Sequence, residues 1–150
     1  MTRGITVVSI RRATAADAAT VHLMMLDLAG HLNQASSIAV TPDLLAEFLE
    51  RPQVTYLIAE RAGRAIGYVS WLERVSLWSG GDYLALDDLY VSGEERGQGI
   101  GEQLMKAALQ AADGRVIRWE VTQTNVAAQR FYERIGATLY TKTICRWQSS

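Results

Sequence analysis

The stretch Arg96-Gly97-Gln98-Gly99-Ile100-Gly101 decides how the rest of this 150-residue chain is interpreted. It lies between a strand-like run at residues 84–91 and a helix-like run at residues 99–112. A glycine-rich turn in that position leaves backbone N–H groups bare, and the start of the following helix adds unpaired donors and a positive dipole end. Arg96 adds a fixed positive charge. The stretch therefore predicts a site for the phosphate oxygens of a ligand.

The spacing of the glycines excludes two common phosphate-binding motifs. A dinucleotide fingerprint requires G-x-G-x-x-G, but Leu104 stands where the third glycine would follow Gly99 and Gly101. A Walker A loop ends in G-K-[ST], whereas Gly101 precedes Glu102. The pattern R-x-x-G-x-G, formed by Arg96 and the two glycines, resembles the acetyl-CoA loop of the GCN5-related N-acetyltransferase (GNAT) family. An ordinary glycine-rich turn is the alternative.

A second motif, N-x-x-A-x-x-F-Y-E-x-x-G-A, occupies residues 125–137. Taken alone, it predicts an amphipathic helix that Asn125 caps and in which Tyr132 packs its ring. It also resembles the second motif of the same family. The resemblance implies that Tyr132 protonates the departing CoA thiolate, and thiol and phenol pKa values of about 8.5 and 10 suit that transfer. Asn125 is then first a helix cap and second a CoA contact.

The strand-like run Tyr-Leu-Ala-Leu-Asp-Asp-Leu-Tyr-Val at residues 83–91 is apolar except for Asp87 and Asp88. Side chains alternate along a strand, so the two acids are expected on opposite faces, with only one in a given cleft. The run is similar to a Leu-Glu-Asp-aromatic run of polyamine-type acetyltransferases, whose implied base falls on Asp87. Aspartate is one methylene shorter than glutamate, which favours a water relay; a purely structural acid is the alternative. Glu73 and Glu120 are reserve candidates for the base.

The resemblance also implies that Leu89, Tyr90 and Val91 bind the cofactor through the main chain. The N–H groups of Leu89 and Val91 would contact the acetyl carbonyl and the pantetheine arm, where negative charge develops during acyl transfer. Gln98 departs from the family pattern, which often has Lys or Arg there. Trp78, in a predicted loop, is the tryptophan best placed to line an acceptor pocket.

Hydrophobic periodicity predicts the element order β-α-α-β-β-β-α-β-α-β(β). This is an α/β fold with a mixed central sheet, in a single domain over residues 1–150, and the GNAT resemblance implies the same order. The first strand is expected at residues 5–11 and a strand before the second motif at residues 116–122. The β-prone residues 138–147 predict one long or two short strands, which could pair between subunits in a homodimer.

Composition excludes several other classes of function. A net charge of −1 without a basic block argues against nucleic-acid binding. Cys145 is the only cysteine, and His22 and His31 are expected on opposite faces of a helix, so no metal site is predicted. No apolar stretch approaches the roughly 20 residues of a membrane span, and no signal-peptide pattern is found. A reduced, cytoplasmic setting is the expectation.

These features predict transfer of an acetyl group from acetyl-CoA to a primary amine of a small, cationic molecule. The amine would attack directly in a ternary complex. Acetylation of a protein N-terminus or lysine is the competing acceptor class. A non-catalytic acyl-CoA-binding module and an unrelated nucleotide-binding protein are the remaining classes of function.

Overall fold

A computed structural model describes residues 7–150 and shows four helices and five strands among them. The chain divides into two compact units, Met1–Trp119 and Glu120–Ser150. The elements are β1 (Val8–Arg12), α1 (Ala18–His31), α2 (Pro42–Leu49), β2 (Val54–Arg61), β3 (Arg64–Val75), β4 (Asp82–Val91), α3 (Ile100–Ala112), β5 (Ile117–Arg118) and α4 (Val126–Arg134).

The first unit is built on one five-stranded sheet with the order β1-β2-β3-β4-β5. Strands β1 to β4 pair antiparallel, and β5 pairs parallel to β4. The predicted α/β class with a mixed sheet is therefore confirmed. Within the described residues the first strand covers Val8–Arg12, and residues 5 and 6 of the predicted strand lie outside the described residues.

The two faces of the sheet are covered by different helices. Tyr56, Tyr68 and Tyr90 belong to one buried cluster with apolar residues of α1 and α2. Gly67 faces the other way, because a Cβ built on it would lie 3.4 Å from a methyl group of Leu104 in α3. The same Cβ would lie 2.5 Å from the Tyr90 carbonyl oxygen, so the close approach of β3 and β4 at this position requires glycine.

A β-bulge interrupts the pairing of β3 with β4. Ser70 pairs with Asp88 and Trp71 with Leu86, so Asp87 is an extra residue in β4. Each acid follows the alternation of its own half of the strand, and both therefore face α1 and α2. The expectation that Asp87 and Asp88 lie on opposite faces was wrong, because simple alternation does not continue through a bulge.

Strands β4 and β5 pair over only two positions. Leu84 pairs with Ile117 and Ala85 with Arg118, although β4 continues to Val91. The strand predicted at residues 116–122 is accordingly limited to Ile117–Arg118. Beyond Ala85, the edge of β4 that faces β5 has no strand partner within the described residues of the first unit.

The second unit contains α4, which begins where the sequence predicts. The Asn125 Oδ1 accepts a hydrogen bond from the Ala128 N–H at 3.1 Å, so Asn125 caps the helix. Residues 138–147 form no strand, and that prediction was wrong. β-propensity describes how well a side chain suits a sheet. A strand also needs a partner strand, and residues 120–150 contain none. The single domain and the homodimer stay predictions.

Candidate functional site

The predicted phosphate loop lies between β4 and α3. Gly97 and Gly99 have φ angles of 79° and 78°, and Gly99 is the N-cap of α3. These left-handed conformations favour glycine, whereas a Cβ on either residue would meet no atom within 4 Å. Backbone conformation, rather than crowding inside the protein, therefore requires the two glycines, and the space beside them is open.

The start of α3 presents unpaired backbone donors beside this loop. The first bond of the helix runs from the Gln103 N–H to the Gly99 oxygen at 3.0 Å. The N–H groups of Ile100, Gly101 and Glu102 therefore have no acceptor within the helix. The Ile100 side chain is buried and fixes this helix end against the sheet. Together with the helix dipole, these donors can hold an anion.

Arginines of the β2–β3 hairpin contact the loop, which sequence reasoning missed. The Arg61 guanidinium pairs with the Glu95 carboxylate, and its Nη2 donates to the Gln98 Oε1 at 3.0 Å. Arg64 pairs with Glu94 at 3.1 Å in a more exposed position. The base that the family pattern places at Gln98 thus has a counterpart in Arg61. No local pattern reveals it, because 34 and 37 residues separate Arg61 from its partners.

The Arg96 side chain lies against the end of β4. Its Nε donates to the Val91 carbonyl oxygen at 3.2 Å, and the residue is exposed. The guanidinium is thereby held at the junction of strand and loop. From there its remaining donors are available to a ligand beside the glycines.

The backbone of β4 offers donors at its unpaired edge. The Asp88 N–H donates to the Ser70 Oγ at 3.2 Å and therefore points toward β3. Because N–H groups alternate along a strand, those of Leu89 and Val91 point the other way, toward the side of β5. Tyr90 is turned away from this edge: its carbonyl faces β3, and its hydroxyl donates to Asp27 in α1.

A pocket of about 260 Å³ opens between the sheet, α1 and α2. Its walls are mainly apolar, and Asp87 is the one carboxylate among the residues that line it. Met25, Phe48 and Tyr56 line the pocket together with Ser70. Trp78 lies fully exposed in the β3–β4 loop and does not line the pocket.

The two adjacent carboxylates have different surroundings. The Tyr68 hydroxyl donates to the Asp88 Oδ2 at 2.9 Å. Burial, followed by the negative charge of Asp87, raises the pKa of Asp88 above its usual value. Asp87 is exposed to the pocket, whereas Asp88 is half-buried beneath it. The pair thus has one carboxylate accessible to a ligand and one engaged by the protein.

The reserve acids and the second motif have contacts of their own. Glu73 accepts from Arg115 at 3.1 Å and pairs across the sheet with Leu84, near the opposite end of β4 from the loop. Glu120 and Tyr132 belong to the unit Glu120–Ser150, where the Tyr132 ring lies 5.3 Å from that of Phe131. Within residues 7–150 there is no group of three or more His, Cys, Asp or Glu side chains that could hold a metal ion. None of the helices in this range is long and apolar enough to cross a membrane.

One strand therefore carries three features of the candidate site in succession. Asp87 faces the pocket, Leu89 follows two residues later with its N–H at the open edge, and the glycine loop begins beyond Val91. Two residues of strand span about 7 Å. This arrangement can hold a phosphate-bearing carrier along the edge of β4 while a nucleophile occupies the pocket.

Comparison with known proteins identifies the family of this chain. The protein-family model described as "Acetyltransferase (GNAT) family" matches residues 23–137. A Bacillus subtilis (strain 168) protein, provisionally assigned as a [ribosomal protein bS18]-alanine N-acetyltransferase, is 31% identical over 93 residues, which cover 60% of this chain and 58% of that protein. A thialysine N-epsilon-acetyltransferase of Bos taurus is 27% identical over 143 residues, which cover 87% of this chain and 84% of that protein.

Solved structures of acetyltransferases share the fold. An aminoglycoside acetyltransferase from an uncultured soil metagenomic sample has a TM-score of 0.80 at 17% identity, covering 95% of this chain and 99% of that one. An aminoglycoside N-acetyltransferase solved in complex with CoA also has a TM-score of 0.80, at 16% identity and with full coverage of both chains. At these identities, the likeness establishes the fold.

Proposed function

Because the chain belongs to the acetyltransferase (GNAT) family and is an N-acetyltransferase by that membership, we propose that it transfers an acetyl group from acetyl-CoA to a primary amine of a small molecule. The observation that carries this proposal is the succession along β4 of a pocket-facing acid, outward backbone donors and a glycine loop. The Bos taurus relative, named for acetylation of thialysine, supports a small-molecule amine. The cytoplasmic setting is likewise part of the proposal.

In this proposal the loop and the β4 edge bind acetyl-CoA. The backbone from Arg96 to Gly101, with the open start of α3, holds the pyrophosphate. The Leu89 and Val91 N–H groups bond the pantetheine arm and the thioester carbonyl oxygen. Donors fixed in advance at that oxygen stabilise the negative charge that develops on it during attack.

In this proposal the acid-base steps are assigned to Asp87 and Tyr132. Asp87, directly or through a water, takes the proton from the attacking ammonium, and the neutral nitrogen adds to the thioester carbonyl carbon. As the carbon–sulfur bond breaks, Tyr132 gives its proton to the leaving thiolate. The nitrogen releases its second proton to solvent, and the Tyr132 phenolate regains a proton from solvent. Asn125 caps α4 and so fixes the start of the helix that carries Tyr132. Asp88, which accepts the Tyr68 hydroxyl, has a structural role in this proposal.

The test is the release of free CoA thiol in the presence of amines, with the acetylated product identified by mass spectrometry. The panel should contain small amines and a peptide with an N-terminal alanine, because the Bacillus subtilis relative is assigned to a ribosomal-protein alanine. Acetylation of the peptide alone would favour a protein acceptor. Tight binding of acetyl-CoA without turnover on any amine would instead indicate a non-catalytic module, and thermal stabilisation by ATP or NAD but not CoA would exclude both.

Tyr132→Phe tests the proposed general acid. Loss of the phenolic proton is expected to lower kcat by about 100-fold, while the dissociation constant of CoA stays unchanged. Tyr140→Phe is the matched control, since Tyr140 is an exposed tyrosine in the same unit. A kcat equal to that of wild type, with the chemical step shown to be rate-limiting, would remove Tyr132 from the mechanism.

A further inference from the structure

We propose that the acceptor carries a single ammonium group on a compact apolar body, such as an alkyl or aryl amine, and that polycations are excluded. The inference rests on the proposed function and narrows its substrate class. It comes from the pocket between α1, α2 and the sheet.

The size of the pocket limits the acceptor. Pockets that hold drug-sized ligands measure about 300–1,000 Å³. The volume here is about 260 Å³. The enclosed part of the acceptor must therefore be smaller than a typical drug, which argues against full enclosure of a multi-ring sugar.

The walls of the pocket select an apolar body. Met25 comes from α1, Leu45 and Phe48 from α2, and Val54 and Tyr56 from β2. The Tyr56 hydroxyl is already engaged, because it donates to the Met25 Sδ at 3.5 Å. An alkyl or aromatic group leaves water when it enters, which favours binding in proportion to the apolar surface buried. A polar body would lose its hydration without gaining partners.

The supply of negative charge limits the acceptor to one ammonium in the pocket. Asp87 is the only carboxylate among the lining residues. The nearby acids Asp88 and Asp27 do not line the pocket. Each instead accepts a hydrogen bond from a tyrosine hydroxyl, Asp88 from Tyr68 and Asp27 from Tyr90. A second ammonium would enter apolar surroundings without a counter-charge, which is costly. The geometry therefore discriminates by charge as well as by size.

Pentylamine and 1,4-diaminobutane form the matched pair of substrates for the test. They have the same length and differ only in whether the far end is a methyl group or an ammonium group. We expect kcat/KM for pentylamine to exceed that for 1,4-diaminobutane by about tenfold or more, a ratio that corresponds to about 1.4 kcal/mol. An equal or reversed ratio overturns the inference and leaves the proposed acetyl transfer intact.

Binding measurements separate failure of the inference from failure of the proposed function. If neither amine is acetylated, NMR titration of each amine into the CoA-bound protein still reports pocket occupancy. Binding of pentylamine at Met25 and Tyr56, with weaker binding of the diamine, would support the pocket chemistry while the proposed transfer fails. Absence of pentylamine binding would overturn the inference itself.

The Met25→Gln variant tests whether the preference for pentylamine over 1,4-diaminobutane comes from the pocket. Glutamine has a similar length and can still accept the Tyr56 hydroxyl, but it puts an amide into the wall. We expect the pentylamine-to-diamine ratio to fall toward one while the KM for acetyl-CoA is unchanged. Leu23→Gln is the control on the same helix, because Leu23 is exposed and outside the pocket. If Met25→Gln melts at a lower temperature, Val54→Thr on β2 is the isosteric second variant, and an unaltered ratio in both variants overturns the assignment.

Discussion

At the scale of single residues, the β-bulge explains how two adjacent carboxylates can share one face of the sheet. Asp87 is the extra residue of β4, and it lines the pocket on the same face of the sheet as Asp88. Like charges so close together favour protonation of one partner, and burial selects Asp88 as the partner with the raised pKa. The two carboxylates thus differ in role: Asp87 is accessible to an acceptor in the pocket, and Asp88 is bound by the Tyr68 hydroxyl.

The first prediction concerns the stability cost of Asp88. Its folded pKa lies above the unfolded value near 3.8, so at pH values between the two the folded protein holds a proton that the unfolded chain has released. The favourable contribution is complete below pH 3.8 and is lost as the pH rises through the folded pKa. Asp88→Asn, whose carbonyl can still accept the Tyr68 hydroxyl, should therefore melt at a higher temperature than wild type at pH 8.

Thermal melts of Asp88→Asn and wild type at several pH values between 8 and 4 would measure this effect. The gap in melting temperature should close toward the acid end of the series. Asp87→Asn is the comparison variant. It removes only the charge that repels Asp88 and leaves Asp88 half-buried, so we expect a smaller rise in melting temperature at pH 8 together with a fall in turnover. A lower melting temperature for Asp88→Asn at pH 8 would show that the ionised carboxylate stabilises the fold.

At the scale of elements, the glycine loop depends on backbone conformation. Gly99 has a φ of 78° and open space around it. A side chain there costs roughly 1–2 kcal/mol of strain, which is small against a typical total stability of about 5–15 kcal/mol. Gly99→Val should therefore stay folded, yet its side chain would stand where the pyrophosphate must approach the amides, so CoA binding should be lost.

Isothermal titration with CoA and a thermal melt would measure both effects of Gly99→Val. Gly93→Val is the matched control, because Gly93 precedes the same loop, has open space around it and does not have a left-handed φ. Wild-type affinity in Gly99→Val would show that this loop is not the pyrophosphate site.

Contacts between the β2–β3 hairpin and the loop lead to a prediction for Arg61. Removing its charge frees the Glu95 carboxylate and releases Gln98, so the loop becomes both more negative and less fixed. Arg61→Gln is expected to raise the dissociation constant of CoA by about tenfold, or about 1.4 kcal/mol. Titration calorimetry against Arg64→Gln makes the comparison, since the Arg64–Glu94 pair is exposed and should matter little. Equal effects of the two variants would contradict a bracing role for Arg61.

The same elements show what the sequence could predict. Helix α2 was predictable because Thr41 and Pro42 form a local start signal, and the Thr41 side chain indeed accepts the Leu44 N–H. The bulge at Asp87 was not predictable, because it depends on how β4 pairs with β3. Asp88 pairs with Ser70, which lies 18 residues away in the sequence. A helix start can be predicted from neighbouring residues in the sequence, whereas the register between two strands is a property of the folded pair.

At the scale of the whole molecule, the order of elements followed from periodicity, but the extent of the sheet did not. The five strands occur in the predicted order, while β5 covers two residues and residues 138–147 form no strand. Strand length depends on how far a neighbour continues alongside, and no pattern within residues 116–122 encodes where β4 and β5 separate. That separation is nevertheless what leaves the Leu89 and Val91 N–H groups without a strand partner within the described residues of the first unit.

Acid stability links parts of the first unit that are far apart in the chain. Arg11 of β1 binds Asp17 through two hydrogen bonds of 2.7 and 2.9 Å and Glu60 of β2 at 2.6 Å. The Arg11 hydrogen bonds, more than the Thr14 N–H, lower the pKa of Asp17 to about 2. A depressed carboxyl pKa stabilises the fold above the unfolded value of 3.8, and this contribution is lost as the pH falls toward 2.

Asp17→Asn should therefore lower the free energy of unfolding by about 1 kcal/mol at pH 7, a figure reduced for solvent screening because the Arg11 side chain is 44% exposed. Urea unfolding at a series of pH values measures it, and the gap between variant and wild type should shrink below pH 4 and vanish near pH 2. Asp43→Asn is the control, an exposed carboxylate in the first turn of α2. A gap that persists at pH 2 would mean that Asp17 acts through its shape and its hydrogen bond from the Thr14 N–H rather than through its charge.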